Sequence, residues 1–180
     1  INRGTLGIKA NVAKAKADII LKNKKINSQI RLKGDRKVHF EDKEKSSYKI
    51  ELKKNNYILG VNKFSIQKPR LRNYIHEWIF HEMMSEFDII KLKYEFIYFY
   101  VNGEKQGLYV LEEGFGKELI ERNGRRNGPI FSLNEDLTDF TTESMVFEIY
   151  NKKYWDRNEN KIIAKIASQK LNDFFNNQRS

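Results

Sequence analysis

Two runs of aromatic and β-branched residues, Phe96 to Val101 and Leu108 to Leu111, flank a segment opened by Asn102-Gly103 and closed by Gly107. That pattern predicts a β-hairpin. Both runs are apolar at consecutive positions, which predicts strands in the middle of a sheet with something packed on each face. The hairpin ends at Leu111-Glu112-Glu113-Gly114, where apolar core gives way to two acids and a glycine, a candidate hinge. Upstream, Ile30-Arg-Leu-Lys-Gly34 and Tyr48-Lys-Ile-Glu-Leu52 alternate apolar with charged positions, as half-buried strands do. Arg31 and Lys33 then share one face opposite Ile30 and Leu32. Ile19 to Leu21 and Phe64 to Ile66 read as further short strands, so the first part of the chain predicts antiparallel β with short connections.

Pro69 can open a helix, and Leu71 to about Phe87 has helical periodicity. At 100° per residue, Leu71, Ile75, Trp78 and Ile79 gather on one side, and Glu82 falls in the middle of that stripe. A carboxylate there needs a basic partner from the sheet beneath, unless it sits at the helix end and reaches past its neighbours to water. Beyond the hairpin the pattern predicts a short helix from Lys117 to Asn123, a strand from Pro129 to Leu133, an acidic loop from Asn134 to Ser144, and a strand from Met145 to Tyr150. A last helix starts near Asn158, with Ile162, Ile163, Ile166, Leu171, Phe174 and Phe175 at helical spacing. The whole predicts an α+β chain: an N-terminal flank over 1–25, an antiparallel sheet with a packed helix over 26–113, and the start of a helical second lobe over 114–180.

Charge sharpens this picture. The net charge of +10 is confined to the first third, where residues 1–60 hold 16 Lys/Arg against 6 Asp/Glu, while residues 61–180 hold 18 of each. Such asymmetry points to an anionic partner: nucleic acid, nucleotide phosphates or an acidic protein. Nucleic acid is the weakest of these, because most aromatics fall in strands and stripes that predict core rather than stacking platforms. The chain has no cysteine, which excludes disulfides, thiolate-held metals and a cysteine nucleophile. No apolar run approaches a membrane span of roughly 18 residues.

His76 and His81 resemble a zinc-protease helix only superficially. Five residues rotate the second imidazole by about 140° from the first, so the two cannot share a metal on one helix face. His39 stands alone in a charged loop. Glu135, Asp136 and Asp139 form an acidic cluster of the kind usually found in solvated loops. No phosphate-binding glycine loop or nucleophile elbow is present. What remains is a plan: an antiparallel sheet with basic residues, a helix that offers an acid, and a hairpin leading out through Glu112-Glu113. It resembles the small lobe of a protein kinase, in which a strand lysine paired to a helix glutamate holds nucleotide phosphates. In that arrangement Lys49 or Arg31 is the phosphate cation, Glu82 fixes it, and the backbone near Leu111 holds adenine.

The sequence also resembles the CotH-type spore-coat kinase family of atypical protein kinases. The resemblance lies in Arg31-Leu-Lys-Gly-Asp35, Ser47-Tyr-Lys-Ile50, Gly60 to Ile66, Arg72-Asn73, Val101-Asn-Gly-Glu104, Gly107-Leu-Tyr-Val-Leu-Glu-Glu113 and Gly128-Pro-Ile-Phe131. It covers roughly residues 28–133, and the Asn-Gly-Glu to Gly-Leu-Tyr-x-Leu-Glu-Glu hairpin is its most specific part. The resemblance implies ATP-dependent phosphorylation of protein serine with Mg or Mn, on acidic or Ser-rich proteins that are secreted or on a cell or spore surface. The nucleotide-binding residues it and the small-lobe plan suggest are Arg31, Lys33, Lys49, Glu82, Leu111, Glu112 and Glu113. The catalytic and metal-holding aspartates of that family lie in a larger C-terminal region. Here Asp156 and Asp173 are the only aspartates after Ile149, and both fit a helix surface. The expectation is thus a truncated or inactive portion of a kinase that binds nucleotide weakly and does not transfer phosphate alone. The alternative is a non-catalytic surface or assembly module that binds an acidic partner through its basic N-terminal third.

Overall fold

A computed structural model describes residues 13–33, 46–53, 55–134 and 145–177. The turn at Gly34–Lys37, His39, the charged loop up to Lys45 and the Glu135–Asp136–Asp139 cluster lie outside the described residues. The chain divides into two compact units, residues 1–119 and 120–180.

The first unit is built on a six-stranded sheet in which every neighbouring pair is antiparallel. Its strands are β1 (Ala15–Leu21), β2 (Lys24–Leu32), β3 (Tyr48–Leu52), β4 (Lys63–Gln67), β5 (Tyr94–Val101) and β6 (Glu104–Glu113), in the spatial order β1-β2-β3-β4-β6-β5. The alternation of β3 places Ile50 and Leu52 beside Ile26 of β2, Phe64 and Ile66 of β4, and Tyr109 and Leu111 of β6. Ile58 and Val61, joined by a short bridge in the β3–β4 connection, complete this apolar core. The Phe99 ring lies 5.0 Å from Tyr109 and 5.9 Å from Tyr48, which extends the core toward β5. Val110 and Gln67 face the other way and are fully buried as well, so the sheet is covered on both sides where β4 and β6 meet.

The predicted hairpin forms, and its turn has the expected chemistry. Asn102 and Gly103 take φ of 51° and 86°, the left-handed pair that a two-residue turn demands. Gly107, at φ 98°, sits where the register slips: Phe99 faces Gly107 but Tyr100 faces Lys105, so Gln106 is the extra residue of a bulge. The expectation that both hairpin strands lie mid-sheet is corrected. β6 is interior, but β5 closes the sheet edge. Its outward side chains Tyr98 and Tyr100 are 69% and 55% exposed, with the Lys105 ammonium 5.3 Å from the Tyr98 ring. A consecutive apolar run does not distinguish an edge strand from a buried one, because β-propensity reports packing on a pleated surface without saying whose. The expectation that most aromatics are core therefore does not hold on this face.

The helix after Pro69 also differs from its prediction. A 3-10 turn over Pro69–Arg72 ends in left-handed Asn73 and Tyr74, and helix α1 runs only from His76 to Glu86. The predicted stripe points outward, since Ile75, Trp78 and Ile79 are all exposed and the one buried residue of α1 is His81. Periodicity locates an apolar face; it does not say which partner that face meets.

Helix α2 (Lys117–Arg122) contains the boundary at residues 119/120, and the second unit continues with a two-stranded ribbon of β7 (Phe131–Leu133) and β8 (Phe147–Ile149), then α3 (Lys152–Trp155) and α4 (Asn158–Asn177). The α3 helix was not predicted, although it buries Trp155. Of the expected α4 stripe, Phe175 stacks on Phe147 at 4.9 Å, while Ile162, Ile163, Ile166 and Phe174 are exposed. Among the described residues no helix is long and apolar enough to cross a membrane.

The two faces of β5 and β6 predict unequal mutational costs. Leu111→Ala should lower unfolding stability by about 2–5 kcal/mol in urea titrations. Tyr98→Ser, on the open face of the edge strand, should change it by about 0.5 kcal/mol or less; equal losses would contradict the edge placement of β5.

Candidate functional site

On the sheet face opposite the apolar core lies a buried polar cluster, and the ladder register assembles it. Leu32, Tyr48, Ile66 and Leu111 align across four strands. One residue further along β2, Lys33 donates its backbone N–H to the Ser47 carbonyl at 2.8 Å and turns its side chain to the other face. Gln67 follows Ile66 by the same alternation, and Glu112 follows Leu111. Gln67 and Glu112 stand on diagonal positions of neighbouring strands, and the long Lys33 side chain reaches over β3 to both. The Lys33 Nζ donates to Gln67 Oε1 at 2.8 Å and to Glu112 Oε2 at 3.1 Å, and Gln67 Nε2 also donates to Glu112 Oε2. The Lys33 and Glu112 side chains are only 11% and 13% exposed, so this is a buried ion pair and not a surface contact.

An ammonium in that setting loses its water shell, and burial accordingly pushes Lys33 below the ordinary lysine value. The Glu112 carboxylate beside it pulls the other way, Arg72 adds to the lowering, and Glu77 opposes it. An ammonium has three N–H donors. Two are satisfied by Gln67 and Glu112, and the third meets no acceptor among the described residues. Ser47 buries its own Oγ without a hydrogen-bond partner among the described residues.

Two aromatic rings continue the cluster toward α1. Tyr94 stands directly opposite Glu112 in the β5–β6 ladder and is buried. Its hydroxyl finds no hydrogen-bond partner among the described residues, and its pKa is pushed up to about 12 by burial first and by the charges of Glu112 and Glu77 next. The His81 ring packs 5.7 Å from the Tyr94 ring, with Nε2 3.6 Å from Glu77 Oε1. Both His81 nitrogens lack a hydrogen bond, and burial pulls the imidazole below its ordinary value.

The residues named from sequence are distributed unequally around this cluster. Lys33 and Glu112 meet at its centre. Arg31 and Lys49 are partners in the β2–β3 ladder, Arg31 half-buried and Lys49 exposed. Glu82 does not fix a strand cation: its half-exposed carboxylate pairs with Lys91 at 3.3 Å, because the side of α1 that carries it faces away from the sheet. Leu111 lies in the core on the opposite face. Glu113 is buried and accepts the Lys93 N–H at 2.9 Å. The backbone from Leu111 to Glu113 is hydrogen-bonded into the sheet between β4 and β5, so it offers no free edge to an adenine ring. Gln67, Tyr94 and His81 were not foreseen. For Gln67 a signal existed, since it follows the Phe64/Ile66 alternation onto the face of Lys49 and Glu112. No three of the His, Asp or Glu side chains among the described residues gather as a metal site.

Residues 30–179 match the family model described as CotH kinase protein. That span includes Lys33, Gln67, His81, Tyr94 and Glu112. No curated protein matches the chain.

Breaking a buried pair strands the remaining charge, which costs more than the pair contributes. Glu112→Ala should therefore lower stability by about 3–5 kcal/mol, and Glu82→Ala, which opens a surface pair, by less than about 1 kcal/mol. Adding Lys33→Met to Glu112→Leu should recover most of the loss relative to Glu112→Leu alone. Thermal and urea unfolding of the four variants measure this.

Proposed function

The chain belongs to the CotH kinase family, and we propose that its first unit binds the phosphates of ATP at Lys33 for transfer to a serine hydroxyl of a protein. The observation that carries this reading is the buried Lys33 ammonium, held by Gln67 and Glu112, whose third N–H meets no acceptor among the described residues. Kinases place a lysine against nucleotide phosphates by pairing it with an acid. Here the acid comes from strand β6 of the same sheet, and Glu112 Oε2 accepts from Lys33 Nζ across β3 and β4. Ser47 Oγ adds a donor without a partner, while Arg31 and Lys49 extend positive charge along β2 and β3. Bound ATP supplies the phosphoryl group; this chain's own residues bind and orient it. A divalent cation such as Mg or Mn belongs to the reading through the family alone, and the described residues do not gather a set of ligands for it. Leu111 to Glu113 keep a place in the reading as the end of the small lobe, before the chain enters residues 114–180. Secreted or cell-surface proteins are the substrates that the family suggests.

A second reading rests on the β1–β2 hairpin, where Lys16, Lys22 and Lys24 are exposed. These residues suit an acidic protein partner that has no need of Lys33.

Calorimetric titration of the 180-residue chain with ATP and Mg²⁺ should give saturable binding, weakened roughly tenfold or more by Lys33→Met, as expected for losing a charged hydrogen bond of about 1.5–3 kcal/mol. Lys49→Ala should weaken it less, and Glu82→Ala should leave it unchanged. Equal affinity of wild type and a folded Lys33→Met would refute the phosphate site. Capture of a poly-glutamate peptide that survives Lys33→Met and is lost on Lys22→Ala with Lys24→Ala would favour the second reading.

A further inference from the structure

The outer edge of β5 lacks the features that keep a sheet edge from pairing. A strand edge presents a row of backbone N–H and C=O groups, and proteins ordinarily protect it with lysine, proline, a bulge or a short strand. β5 runs for eight residues, Tyr94–Val101, with neither lysine nor proline and with Glu95 as its single charge. The extra residue of the hairpin's bulge lies on β6 and not on β5. Among the described residues no strand lies on the far side of β5. The opposite edge of the sheet differs, since β1 carries Lys16 and Asp18.

The side chains of β5 agree with its backbone. Phe96, Tyr98 and Tyr100 alternate onto one face and are all exposed, and the exposed Leu108 of β6 stands directly opposite Tyr98. Ile97 and Phe99 lie on the other face, against the apolar core. Both faces of the strand therefore offer apolar surface to a neighbour added at the edge.

We propose that β5 pairs antiparallel with β5 of a second copy of this chain, joining the two six-stranded sheets edge to edge. A twofold axis normal to the sheet brings together residues of the same face. With the axis at Tyr98, that side chain meets its own counterpart, Phe96 meets Tyr100, Ile97 meets Phe99 and Glu95 meets Val101. No like charges oppose each other in this register, and cross-strand aromatic pairs are among the favourable ones. An axis at Ile97 would instead draw in Tyr94, which already packs against His81 of α1.

The distribution of charge favours a second copy at this edge in spite of the net +10. The excess belongs to residues 1–60, and the strands formed there, β1 to β3, occupy the other side of the sheet; residues 61–180, which supply β4, β5 and β6, hold 18 charges of each sign. Five strand spacings separate β1 from β5, roughly 24 Å along the sheet, against a Debye length of about 8 Å at physiological salt. Pairing through β5 thus leaves the two basic regions at opposite ends of the joined sheet. The interface makes no use of Lys33 and stands whether or not ATP binds there.

Sedimentation equilibrium of the 180-residue chain from about 5 to about 500 µM should show the mass rising from one 21.5 kDa chain toward two. Tyr98→Lys, which sets two ammonium groups against each other at the axis, should weaken association by about tenfold or more. Because the chain has no cysteine, Tyr98→Cys introduces a single thiol that faces itself across the axis. With oxidised glutathione it should give a disulfide-linked dimer at least about tenfold faster than Ile20→Cys, an exposed position on β1. A mass that stays at one chain over the whole range overturns the inference, as a partner of another kind would then have to cover the edge. So does a folded Tyr98→Lys that associates like the wild type, or equal cross-linking at positions 20 and 98.

Discussion

A lysine ammonium and a glutamate carboxylate taken out of water together constrain the first unit more than any apolar contact does. Lys33 and Glu112 are 79 residues apart, and they meet only if β2, β3, β4 and β6 lie side by side in the observed order and register. A one-residue slip in any of these ladders would send one side chain into the core and strand the other charge. The apolar core on the far face tolerates some rearrangement of its aliphatic side chains, but an ion pair does not. Gln67 makes the arrangement more exacting, because it both accepts from Lys33 and donates to Glu112 and is itself fully buried.

The same constraint explains how helix α1 is used. An amphipathic helix ordinarily turns its apolar stripe to the sheet, yet here the sheet presents a polar face. The residue of α1 that packs inward is His81, against Tyr94, while Ile75, Trp78 and Ile79 remain exposed. The local chemistry of the site, with burial opposed by nearby carboxylates at Lys33 and His81, is thus a property of the layer between sheet and helix.

A kinase-type phosphate site needs a cation held in place before the ligand arrives, since ordering a free lysine would consume part of the binding energy. In the proposed reading the strand-to-strand pair provides that pre-organisation. It differs from the helix-to-strand pairing expected from Glu82 in that helix motion does not break it directly.

The alternation at Tyr48–Leu52, the Asn102-Gly103 turn and the long last helix were legible in the chain because each rests on local rules: period two, left-handed turn residues and period 3.6. The family resemblance was legible for a similar reason, in short segments of fixed order, and the family match extends over residues 30–179. Lys33 and Glu112 could each be singled out in sequence, but not as partners. The choice of Glu82 as the acid followed from the helix stripe, which fixes spacing along α1 without saying which side meets the sheet. The pairing of Lys33 with Glu112, the edge position of β5 and the inward turn of His81 all depend on strand order. Strand order is decided by non-local packing, which no window of sequence contains.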